Sequence, residues 1–63
     1  MYILGRYNKE NNDYKLFWSV PVNSMIEAME YTQMYAFENR GEKFIVVDAE
    51  DEACDIVYSY QVN

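Results

Sequence analysis

Residues 23–41, NSMIEAMEYTQMYAFENRG, decide the fold. Their spacing predicts the one long helix of the chain. Ser24 is a good N-cap, because its hydroxyl can accept a hydrogen bond from a free backbone N–H of the first turn. Glu27 stands three residues on. It completes a Ser-x-x-Glu capping box and puts a carboxylate at the positive end of the helix dipole. Asn23 is a rival cap one residue earlier. No Gly or Pro interrupts the run before Gly41. Gly41 can take the left-handed conformation that closes a helix, and Arg40 suits the negative end of the dipole.

Projected at about 100° per residue, Met25, Ala28, Met29, Thr32, Tyr35 and Ala36 fall on one stripe, which is the expected core face. Ile26 and Phe37 lie on one shoulder and are expected to widen it. Glu27, Glu30 and Glu38 fall on the opposite face, together with Tyr31 and Met34.

Two strand-like runs precede the helix. Residues 2–7, YILGRY, read as the first strand; Gly5 inside it marks a bulge or a close backbone approach. Residues 8–13, NKENND, are a polar turn. Residues 14–20, YKLFWSV, alternate: Tyr14, Leu16, Trp18 and Val20 share one face, and Lys15, Phe17 and Ser19 the other. Pro21 ends this second strand, because it has no N–H to give to a ladder.

Two more runs follow the helix. Residues 43–49, KFIVVDA, hold the continuous apolar segment Phe44, Ile45, Val46 and Val47, which fits a strand buried on both faces. Residues 55–62, DIVYSYQV, are the fourth strand, with Ile56, Tyr58, Tyr60 and Val62 on one face. The fold class is therefore α+β: a ββαββ order, with a single helix packed on a four-stranded, mainly antiparallel sheet. Antiparallel hairpins and short connections favour strand order 2-1-3-4.

At 63 residues the chain is expected to form one small domain. A helix is about 10 Å wide, whereas four strands at about 4.8 Å spacing span roughly 19 Å. One helix leaves part of its sheet face open. Phe17, Val57 and either Ile45 or Val47 compete for the other face. A homodimer is the expected way to cover the remainder, by sheet packing or by edge-strand pairing.

Charge and residue types bound the function. Eleven acids against five bases give a net charge of -6, which opposes phosphate backbones and anionic membranes. Basic partners are favoured instead. The chain has no His, so the commonest general base and metal ligand is missing. Cys54 is the only cysteine, which leaves no intrachain disulfide, and its neighbours Asp51, Glu52 and Asp55 do not favour a thiolate. The acidic segment 48–55, DAEDEACD, lacks the ligand spacing of a calcium-binding hand and reads as a solvated turn. Neither an enzyme nor a bound cofactor or metal is expected. No apolar run approaches a membrane span and no leader-like segment opens the sequence, so a cytoplasmic protein is expected.

Seven tyrosines supply much of the 17% aromatic content, and a base-stacking sheet is one use of such rings. Those platforms come with a basic groove, however, so direct nucleic-acid binding is not expected. The candidate partner-binding residues are Glu27, Glu30, Tyr31, Met34 and Glu38 on the helix, with Asp48, Glu50, Asp51, Glu52 and Asp55 in the turn. An adaptable Met and an amphipathic Tyr ringed by carboxylates are the ingredients of an interface.

In length and composition the chain resembles small acidic accessory proteins encoded by bacteriophages, several of which inhibit host enzymes, some as DNA mimics. The resemblance covers no motif and carries over no residue. Two expectations stand. One is a non-catalytic protein-binding module, of the inhibitor or DNA-mimic kind, acting on a nucleic-acid-binding host protein. The other is a homo-oligomeric structural or accessory protein whose acidity only keeps it soluble.

Overall fold

One of the two central strands is the apolar run after the helix. In the computed structural model, which describes residues 1–18 and 20–63, Phe44, Ile45, Val46 and Val47 are all buried. Ser19, which the alternation of the second strand placed opposite Trp18, lies outside the described residues. The elements are β1 (Tyr2–Asn8), β2 (Asp13–Leu16), α1 (Met25–Glu38), β3 (Lys43–Asp48) and β4 (Ile56–Gln61). They form one four-stranded sheet of order β2-β1-β3-β4, antiparallel at every pairing, with α1 on one face. The order and class are those the sequence predicts.

The helix begins and faces inward as expected. Ser24 caps it, its hydroxyl accepting from the Glu27 amide at 3.4 Å. Ala28, Thr32 and Ala36 are buried, and Met25, Met29 and Tyr35 are partly so. Buried Thr32 satisfies its hydroxyl by donating to the Ala28 carbonyl at 2.7 Å. The stop differs. Asn39 is the C-cap, its amide donating to the Tyr35 carbonyl. Gly41 takes the left-handed conformation, φ 89°, two residues later in the turn into β3. There its amide donates to the Val62 carbonyl. Arg40 thus lies beyond the helix and not in its last turn.

Two faces of the sheet carry separate apolar clusters. Leu4, Val22, Ala28 and Val46 form the helix-side core, with Tyr2, Phe17, Met25, Tyr35 and Tyr58 packed against it. On the other face Ile3, Ile45 and Val47 are buried, with Leu16 and Ala49 against them. The face expected to hold Phe17, Val57 and either Ile45 or Val47 holds both Ile45 and Val47, with Ile3 0% exposed within a single chain, while Val57 is 44% exposed. Phe17 belongs to the helix side instead.

Two strands depart from simple alternation. β2 stops at Leu16 rather than running to Val20. The Phe17 amide still donates to Leu4 at 2.8 Å, but the chain then turns away, leaving Trp18 and Val20 exposed. It rejoins the sheet at Val22, which bridges Tyr2. In β4 the register with β3 shifts between Val46 and Val47. Tyr58 pairs with Val46 on the helix side, while Ile56 pairs with Val47 on the far side. The bulge therefore separates Ile56 from the Tyr58 and Tyr60 face. Gly5 marks a close approach and not a bulge, since β1 pairs there with both β2 and β3 in regular register.

Candidate protein-binding surface

The helix lies over β1, β3 and β4 and does not pack on β2. This off-centre position follows from the chain path: the β2–α1 connection brings the helix in at Val22, beside the start of β1. The helix ends beside the last residues of β4, where Gly41 bonds Val62. The uncovered part of the helix-side sheet is a groove of about 390 Å³ between α1 and β1. Leu4 and Phe44 line it from the sheet, Tyr31 and Tyr35 from the helix, and Phe17 and Val20 from the connection after β2. Arg6, which also lines the groove, is paired with Glu42. This is the opening the width of one helix requires.

The helix presents two distinct flanks. Tyr31, Tyr35 and Asn39 border the groove. On the other flank Phe37 touches Tyr60, ring centroids 6.2 Å apart, and the Gln33 amide group donates to the Tyr58 hydroxyl at 3.1 Å. Glu27, Glu30, Tyr31, Met34 and Glu38 are all exposed, as expected of the outer face. Ile26 and Phe37 do not widen the core stripe as expected. They are 71% and 54% exposed, because a sheet cannot curve around a single helix far enough to reach its sides. The outer surface of α1 therefore holds large apolar side chains among carboxylates.

The remaining candidates lie at one end of the molecule. Asp48 pairs with Tyr2, which bridges Val22 just before the helix, so the 48–55 turn and the first turn of α1 share that end. Glu27 belongs to the same end, and Glu38 does not. Within the turn, the Asp48 carboxylate accepts from the Glu50 amide at 3.0 Å and that of Asp51 from the Ala53 amide at 3.2 Å. Cys54 sits at φ 49°, closing the turn before β4. Glu50, Asp51, Glu52 and Asp55 are exposed. Among the described residues no three acidic or thiol groups are placed to hold one metal ion.

The bases occupy the opposite end. Arg6 pairs with Lys15 across β1–β2, Lys9 is in the hairpin, Lys43 starts β3 with its ammonium 5.7 Å from the Tyr7 ring centroid, and Arg40 precedes Gly41. Acids offset them there: Glu10 is in the same hairpin, Asp13 pairs with Asn8, Glu42 pairs with Arg6 and Glu38 ends the helix, so that end is mixed in charge while the 48–55 end is acidic. The groove residues Leu4, Phe17, Val20 and Phe44 were not legible as a site. Each reads as an ordinary strand residue until the helix is seen to lie off-centre.

Compared with known proteins, the chain matches no family model, no curated protein and no solved structure.

Proposed function

We propose that the chain is a non-catalytic protein-binding module that receives a basic, apolar segment of a partner protein along the groove beside α1. The observation that carries this reading is the groove itself: an open apolar trough in a protein of net charge -6, with Tyr31 on its wall. Glu27 and Glu38 stand on the adjoining helix surface. Apolar side chains of the partner would fill the trough, and its Lys or Arg side chains would meet those carboxylates. This is the division between apolar centre and charged rim found in protein interfaces. Met34 supplies a flexible apolar contact beside the rim.

Inhibition of a nucleic-acid-binding protein is a special case of this reading. Such a partner is basic where it grips phosphates, and carboxylates from Glu27 and the 48–55 turn, including Asp48, Glu50, Asp51, Glu52 and Asp55, would occupy that surface in place of DNA.

The test is fluorescence anisotropy with labelled peptides that share an apolar pattern and carry either basic or acidic flanks. Preference for the basic set, lost in an E27K/E38K variant and weakened by salt, supports the reading. Equal binding of both sets sinks it. For the inhibitor form, duplex DNA should compete with this chain for one site on a captured partner; simultaneous binding of both sinks that form. Self-association is favoured by a separate feature, the free edge of β4.

A further inference from the structure

We propose that a second copy of this chain pairs antiparallel with the outer edge of β4, joining two four-stranded sheets into one of eight strands with both helices on the same face. This surface lies on the opposite flank of α1 from the groove, so either proposal can fail without the other.

The edge itself is the first observation. β4 is the terminal strand of the sheet, and Ile56–Gln61, IVYSYQ, contains no Lys, Pro or other charge. Exposed edges normally carry such protections, because unpaired N–H and C=O groups template pairing with another chain. The opposite edge differs. β2 is four residues long and includes Asp13 and Lys15. The bulge in β4 faces β3 and does not interrupt a regular outer edge over residues 58–61.

Symmetry then selects the arrangement. A two-fold axis perpendicular to the sheet keeps each side chain on its own face, so paired positions must share parity. Pairing centred on Ser59 satisfies this over residues 58–60, clear of the bulge at Val57. It sets Ser59 opposite itself and Tyr58 opposite Tyr60 of the other copy. Tyr58 and Tyr60 already stack within one chain, centroids 6.4 Å apart and 10° between planes. The pairing would extend that stack to four rings.

The helix flank fits the same axis. α1 packs on both β3 and β4. Because α1 also packs on β1, its axis lies near β3, and with strands about 4.8 Å apart the two helices would stand about 14 Å from each other, an interval that large side chains on the facing flanks span. They run antiparallel, and because Phe37 touches Tyr60 and Gln33 bonds Tyr58, an axis at Ser59 brings Phe37 of each copy toward Phe37 and Gln33 of the other. Phe37 is 54% exposed in the chain alone.

The two-fold also reverses strand direction, and so keeps the acidic 48–55 turns of the two copies at opposite ends of the joined sheet, where like charges do not face each other.

The experiment is sedimentation of the full chain up to millimolar concentration, combined with cross-linking. The wild-type chain should sediment at twice its monomer mass. S59K places like charges opposite each other at the axis and F37E removes the apolar helix contact. Each should weaken association at least tenfold with unchanged circular dichroism. In a C54S background, S59C should form a disulfide-linked dimer much faster than K15C on the other edge. If S59K or F37E fails to fold, the cross-linking comparison decides. A wild-type chain that stays monomeric at millimolar concentration, or K15C cross-linking as fast as S59C, overturns the proposal.

Discussion

Gly5 and Leu16 meet so closely across β1 and β2 that a Cβ added to Gly5 would lie 2.7 Å from Leu16 Cδ2. The same Cβ would come within 3.2 Å of Ile45 Cγ1 and 3.1 Å of the Lys15 carbonyl. The absent side chain lets Leu16 cover the far face of the sheet at its centre. Gly5→Ala should therefore cost about 1–3 kcal/mol through overpacking. Urea denaturation measures this. An unchanged midpoint would show that Leu16 swings aside freely.

Ile45 and Ile26 carry the same side chain in opposite circumstances. Ile45 is 1% exposed on the sheet face away from the helix. Ile45→Ala should cost about 2–5 kcal/mol. Ile26→Ala, on the outer flank of α1, should cost no more than about 0.5 kcal/mol of monomer stability. Thermal and chemical denaturation at high dilution compare the two directly. Similar losses would mean that the far face is not closed within one chain.

Thr32 illustrates a buried polar group whose removal should be cheap. Its hydroxyl bonds the Ala28 carbonyl, but within the helix that carbonyl also accepts from the Thr32 amide. Thr32→Val keeps the volume and leaves no orphaned acceptor. The change in stability should stay within about 0.5 kcal/mol. A loss several times larger would point to a partner of the hydroxyl beyond the helix.

Ser24→Ala should cost about 0.5–1 kcal/mol, the lower part of the N-cap range, because the bond to the Glu27 amide is long at 3.4 Å. Ser24→Asp should recover the loss, since a carboxylate also suits the helix dipole. Denaturation midpoints of the pair check both signs.

Much of this fold is legible in the residues. Ser24, the stripe from Met25 to Ala36 and the apolar run of β3 each impose one structure locally, and they agree with each other. What is not legible depends on geometry between elements. Val57 gives no local sign of the bulge that turns Ile56 to the far face. Trp18 and Val20 keep a strand pattern although the chain has already left the sheet at Leu16. Ile26 and Phe37 fit the shoulder of a helical stripe, and only the position of α1 over the sheet decides that they stay outside. The acidic outer face of the helix was readable for the same reason as its core stripe. The groove was not, because it exists only where the helix fails to cover β1.

The most direct measurement of binding through that groove is an amide and methyl chemical-shift map recorded with a basic, apolar peptide. The largest shifts are expected at Leu4, Phe17, Tyr31, Tyr35 and Phe44, with Glu27 and Glu38 responding beside them. Shifts confined to β4 and the 48–55 turn, or none at saturating peptide, would contradict a binding site between α1 and β1.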